Sequence, residues 1–137
     1  MTARGFARIV RFRGKFMRQV LLIEDEANIA EALRFILSRD GWLVSVVADG
    51  ARALAEVLRL RPDLVILDSM LPGMSGLEIL LALRADPANA ALPILMLTAK
   101  GQVRDREAAE RAGVTAFMSK PFDNSEIRAM VRELLGA

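Results

Sequence analysis

The chain has 137 residues, 53% of them hydrophobic, and a formal net charge of +2. That length suits one domain with a packed core, and no apolar run approaches the ~18–20 residues needed to span a bilayer. With no cysteine and no histidine, disulfide frameworks, thiolate or imidazole metal sites and a histidine general base are excluded, and the lack of cysteine leans towards a reducing, cytoplasmic setting.

Residues 1–18 hold six basic groups (Arg4, Arg8, Arg11, Arg13, Lys15, Arg18) and no acid, leaving 13 basic against 17 acidic residues in the remainder. The high isoelectric point therefore comes from this extension. Three readings of it stay open. Met17-Arg18-Gln19-Val20-Leu21 has the form of an ordinary start, which makes the extension a misassigned beginning. Phe6, Ile9, Val10 and Phe16 set against the arginines suit contact with an acidic partner, nucleic acid or a membrane surface. A transit peptide is the weakest reading, because serine is not enriched.

Beyond the extension, strand and helix patterns alternate five times. Residues 19–24 form a first strand around Val20-Leu21-Leu22-Ile23. Residues 27–39 put Ile29, Ala32, Leu33, Ile36 and Leu37 at helical spacing, ending before Gly41. The second strand is Leu43–Val47. Asp49 is placed to cap a helix that runs through Leu60 and stops at Pro62. Leu64–Leu67 is the third strand and leads into the loop Asp68–Met74. Ser75 and Glu78 have capping-box spacing, which predicts a helix from about Gly76. Pro87 and Pro93 bracket a polar connection to the fourth strand, 94–97. Residues 103–112 form a charged, alanine-rich helix closed by Gly113. The fifth strand is 115–119, and Asp123 with Glu126 caps a last helix that packs Ile127, Val131 and Leu134.

Continuous apolar strands separated by helix-length segments belong to a parallel sheet covered on both faces. The predicted fold is α/β, a doubly wound five-stranded parallel sheet of flavodoxin-like (βα)5 form with strand order 2-1-3-4-5. Chemistry in such sheets collects beyond the carboxyl ends of the strands. Four strands here end in polar residues: Glu24-Asp25, Asp68, Thr98 and Lys120.

With the first strand beside the third, the three carboxylates come within a few ångströms and repel unless a cation joins them. Hard oxygen donors without histidine or cysteine favour Mg²⁺, or Mn²⁺, with several waters retained. A carboxylate held by a dication beside a lysine is placed to attack a phosphoryl group. Lys120 and Thr98 would meet the transferring oxygens, and the product would be an acyl phosphate on Asp68. Singly, each residue has an ordinary reading: Asp25 as a helix cap, Asp68 as a turn former before Pro72, Thr98 and Lys120 as solvent-facing groups. Their conjunction at one sheet edge decides for a site.

Glu24-Asp25-Glu26 follows the first strand, and Asp68-Ser69-Met70-Leu71-Pro72-Gly73-Met74-Ser75-Gly76 has the form D-x-x-(L/M)-P-x-(M)-x-G. Ile94-Leu95-Met96-Leu97-Thr98-Ala99 and Ala112-Gly113-Val114-Thr115-Ala116-Phe117-Met118-Ser119-Lys120-Pro121-Phe122 complete the set. In these four segments the chain resembles the receiver domain of two-component response regulators, of the stand-alone chemotaxis type. The likeness covers 19–136 and divides the chain into a basic extension, 1–18, and a receiver domain, 19–137.

The resemblance implies that Asp68 is phosphorylated from the phosphohistidine of a sensor histidine kinase or histidine-phosphotransfer protein. The domain would supply most of the catalysis without being a conventional turnover enzyme. Asp25, Asp68 and the Met70 backbone carbonyl would bind Mg²⁺ directly, and Glu24 through a water. Thr98 and Lys120 would hold phosphoryl oxygens, and the Lys120-Pro121 bond would be cis. Thr98 and Phe117 would form a switch that remodels the surface of the fourth helix, fifth strand and fifth helix for a downstream target protein. A cytoplasmic regulator is implied, monomer or weak dimer, with no DNA-binding output domain and no transmembrane segment.

Some positions depart from the pattern. Glu24 stands where Asp is commoner, and Phe117 lacks the hydroxyl of the usual Tyr. Met70 and Lys100 occupy positions that tune water access to the acyl phosphate, and an apolar Met70 is expected to slow hydrolysis by shielding it. Two other classes share parts of the architecture. A flavin binder needs a Ser/Thr/Gly-rich phosphate cradle after the first strand, where Glu24-Asp25-Glu26-Ala27-Asn28 repels phosphate. An aspartate-nucleophile phosphatase carries a second aspartate at the position of Met70 and a cap insertion that this pattern lacks.

Overall fold

The computed structural model describes residues 10–12, 15–99 and 103–136; Lys100 and residues 1–9, 13 and 14 of the basic extension lie outside the described residues. The central sheet consists of β1 Gln19–Ile23, β2 Leu43–Val47, β3 Leu64–Asp68, β4 Ile94–Ala99 and β5 Ala116–Lys120. All pairings are parallel and the order is β2-β1-β3-β4-β5, as predicted. The helices are α1 Ala27–Arg39, α2 Ala53–Leu60, α3 Gly76–Ala85, α4 Val103–Arg111 and α5 Asn124–Leu134.

Side chains alternate across a strand, so the sheet has two separate cores. Val20, Leu22, Leu64, Ile66, Leu95 and Leu97 bury against Leu33 and Leu37 of α1 and Ile127 and Val131 of α5. Leu21, Ile23, Val65, Leu67, Ile94 and Met96 bury against Val57 of α2, Ile79, Leu80 and Leu83 of α3 and Ala109 of α4. Each large side chain so buried contributes roughly 1.5–3 kcal/mol. Covering on both faces explains why β1, β3 and β4 read as unbroken apolar runs.

Both expected capping boxes form. Ser75 and Glu78 exchange bonds of 3.2 Å each at the start of α3. Asp123 and Glu126 do the same at α5, at 2.8 and 3.2 Å. The start of α2 differs, because Asp49 caps a 3₁₀ turn over Gly50–Arg52 before the α-helix begins. This tighter turn brings Gly50 onto the β3–α3 loop. Its N–H donates to the Pro72 carbonyl at 3.0 Å, and a Cβ there would lie 2.0 Å from the Met74 carbonyl oxygen.

Several strand ends also move: β1 stops at Ile23, short of Glu24, and β3 takes in Asp68, which pairs with Leu97. Thr98 pairs with Ser119 and Ala99 with Lys120, so β4 extends to Ala99 and β5 to Lys120. Ahead of β1, Val10–Phe12 and Lys15–Met17 pair antiparallel in a hairpin to which the sequence reading assigned no structure. Arg18 at its base donates from Nη1 to the Leu135 carbonyl beyond α5. No helix among the described residues is long and apolar enough to cross a membrane.

Candidate functional site

Ile23 pairs with Leu67, so Glu24, just past β1, stands beside Asp68 at the end of β3. One oxygen from each of Glu24, Asp25 and Asp68 lies within 4.8 Å of the others. Lys120 at the end of β5 crosses the mouth of this cluster. Its Nζ donates to Glu24 Oε1 at 3.1 Å, Glu24 Oε2 at 3.4 Å and Asp68 Oδ2 at 3.2 Å. The side chains of Glu24 and Asp68 are only 0% and 5% exposed, and that of Lys120 18%, whereas Asp25 faces solvent. Asp25 is no cap: the N-cap of α1 is Glu26, whose side chain makes no capping bond and lies 3.8 Å from Lys120 Nζ.

Two buried carboxylates side by side resist joint ionisation. Burial first, then the hydrogen bond and charge of Asp68, push the Glu24 carboxyl up to about 8 against the downward pull of Lys120. Burial on its own would draw the Lys120 ammonium down, but the bonds and charges of Glu24 and Asp68 outweigh it and its pKa rises. A proton on Glu24 relieves the crowding, and a dication would do so too. Three hard oxygens without a nitrogen or sulfur donor fit Mg²⁺ or Mn²⁺.

A testable pH dependence follows. A carboxyl whose pKa rises from 4.5 to about 8 on folding keeps a proton that the unfolded chain releases, so stability falls as pH rises between those values. With no histidine or cysteine in the chain, that window is clear of the side chains that ordinarily titrate there. Melts in chelator are expected to give a Tm that declines from about pH 5 to about pH 8. Mg²⁺ competes with the proton, so its affinity should rise by up to about tenfold per pH unit across that range. A Tm that climbs through the window, with Mg²⁺ affinity unmoved, would contradict the protonated Glu24.

Around this centre, the Met70 N–H donates to Asp68 Oδ1 at 3.1 Å, and Met70 is 64% exposed. Thr98 is buried and accepts a hydrogen bond from Ser69 Oγ at 3.1 Å. Phe117 is half-buried, with the Arg106 guanidinium of α4 5.6 Å from its ring centroid. The Lys120-Pro121 peptide is cis. Two residues were passed over by sequence reasoning. Ser69 carried no signal beyond a hydroxyl next to Asp68, and Gly76 was read as a helix start and as the last residue of the loop motif, not as a contact of Asp68. A Cβ on Gly76 would lie 2.4 Å from the Asp68 carbonyl oxygen, so α3 begins directly on the peptide of Asp68.

Residues 20–132 match the family model for the response regulator receiver domain. The DNA-binding response regulator MtrA of Mycobacterium leprae is 43% identical over 120 residues, 87% of this chain and 52% of that protein. A response regulator structure from Chloroflexus aurantiacus is similar with TM-score 0.83 at 33% identity, covering 88% of this chain and 99% of that one. The receiver domain of the sensor histidine kinase PA1611 from Pseudomonas aeruginosa, which has a magnesium ion coordinated in its active site cleft, gives TM-score 0.80 at 30% identity over 88% and 99%.

The chain spans about half the length of the curated relatives it matches, and several of these are named DNA-binding response regulators. That overturns the expectation of a regulator with no DNA-binding output domain. The site motifs are blind to this point, because the phosphoryl chemistry is complete within one α/β unit whatever that unit is joined to.

Proposed function

The chain belongs to the response regulator receiver family, and on that premise we propose that Asp68 takes a phosphoryl group from a histidine of a sensor kinase or phosphotransfer partner. The change would pass through the α4–β5–α5 surface to a DNA-binding unit of the kind for which the relatives are named. Receiver domains of two-component systems are phosphorylated on aspartate, bind Mg²⁺ and are not conventional enzymes.

The observation that carries the reading is a single ammonium, Lys120, bonded to both Glu24 and Asp68 beside a third carboxylate. In the proposed transfer an Asp68 carboxylate oxygen attacks phosphorus. The P–N bond of the donor breaks, and the histidine nitrogen leaves with the bonding pair. Asp25, Asp68, the Met70 carbonyl and, through a water, Glu24 would hold Mg²⁺, which would supply positive charge for the transferring oxygens. Lys120 neutralises charge on the same oxygens, and the Thr98 hydroxyl donates to one of them. The Met70 N–H keeps Asp68 turned for attack. The Met70 side chain would shield the phosphoryl group and slow its loss, and Lys100 stands at a position that tunes access of water. Thr98 on β4 and Phe117 on β5 then carry the change outward, with residues 19–137 as the receiver unit and 1–18 as an appendage.

Incubation with acetyl phosphate and Mg²⁺ is expected to add one phosphoryl group to the wild-type mass. Neither Asp68→Asn nor the wild type in EDTA should gain it. Equal uptake by Asp68→Asn would remove the assignment.

A further inference from the structure

Ser69 follows the acceptor and opens the β3–α3 loop, yet its side chain turns inward. Its hydroxyl donates to Thr98 Oγ1 at 3.1 Å, and the two residues are 9% and 1% exposed. The backbone of Ser69 is pinned on both sides. Its N–H donates to the Leu97 carbonyl at 2.9 Å, and its carbonyl accepts from the Gly76 N–H at 3.2 Å. Gly76 packs so closely that a Cβ on it would lie 2.8 Å from Ser69 Cα. Ser69 is therefore not free to follow a displaced Thr98. If the threonine hydroxyl moves away, a buried serine donor is left without this acceptor, which costs free energy.

We propose that Ser69 is a positioning residue that holds Thr98 in its ligand-free place and so sets how readily phosphorylation throws the switch. This rests on the reading of Asp68 as acceptor and of Thr98 as the residue that moves onto the phosphoryl group. A contact made in one of two states biases the equilibrium by its own strength. For one buried hydrogen bond between neutral groups, the bias is about fivefold.

Beryllofluoride with Mg²⁺ imitates the acyl phosphate without turnover, and its binding can be followed by ¹⁹F NMR. Ser69→Ala is expected to bind it about fivefold more tightly than the wild type. Ser69→Cys, a weaker donor of similar size, should fall between the two and carries the test if the alanine variant does not fold. In a Thr98→Val background, with no hydroxyl to release, Ser69→Ala should change nothing. An unchanged or weaker affinity in Ser69→Ala, or the same gain in the Thr98→Val background, would overturn the role of Ser69. If the wild type and Asp68→Asn bind beryllofluoride alike, the acceptor reading itself fails and takes this proposal with it.

Discussion

Lys120→Met is expected to destabilise the protein by ~2–4 kcal/mol at pH 8 in chelator, and to slow Mg²⁺-dependent phosphorylation by at least about 100-fold. Removing one partner of a buried ion pair strands the other charge, at a cost of about 3–5 kcal/mol. Here the ammonium serves two stranded carboxylates, Glu24 and Asp68, at 3.1 and 3.2 Å. The figure is lowered because Lys120 keeps some contact with water and because Glu24 can take a proton. That second escape makes the penalty depend on pH. At pH 6, below the value of about 8 to which Glu24 is raised, its carboxyl is already neutral and less charge is stranded. Urea unfolding at the two pH values is expected to show the larger loss at pH 8. A loss under about 1 kcal/mol at both would mean that the lysine does not hold the carboxylates together.

Gly76→Ala is expected to cost ~1–3 kcal/mol of stability through overpacking and, in the folded fraction, to slow phosphorylation by about 100-fold. The added methyl would meet the Asp68 carbonyl oxygen at 2.4 Å and Ser69 Cα at 2.8 Å, both part of the backbone. The clash falls on the peptide of Asp68, the proposed acceptor, and a displacement of about 1 Å at a reacting group is enough for a loss of that size. Gly50→Ala is the comparison. Its methyl would meet the Met74 carbonyl oxygen at 2.0 Å, in the β3–α3 loop and not at the peptide of Asp68. Its stability loss should match or exceed that of Gly76→Ala, with a clearly smaller effect on rate. Equal rates for the two variants would show that α3 does not position the acceptor.

The sheet order and the gathering of polar residues at one sheet edge are legible in the sequence because both depend on local, repeated signals. Val20–Ile23, Leu64–Leu67 and Ile94–Leu97 are buried on both faces, so their apolar character is unbroken and their polar end residues stand out. Capping boxes at Ser75 and Asp123 are equally local, since each is closed by a residue three positions on. What escapes is set by tertiary contact. The Ser69–Thr98 bond joins residues 29 apart. The close approach of Gly50 arises only when loops from different strands meet, and that of Gly76 only when the β3–α3 loop folds back onto Asp68 and Ser69. The 3₁₀ start of α2 belongs to that same crowding. The link to DNA-binding output has no counterpart in the site, because any output can be coupled to the same phosphoryl chemistry.

The most direct measurement locates the phosphoryl group itself. The protein is treated with acetyl phosphate and Mg²⁺ and reduced with borohydride, which converts an acyl phosphate to the corresponding alcohol, and its peptides are then sequenced by mass spectrometry. Reduction is predicted at Asp68 alone, and only when Mg²⁺ is present. Reduction at Glu24 or Asp25 instead, or equal labelling without the metal, would contradict the account.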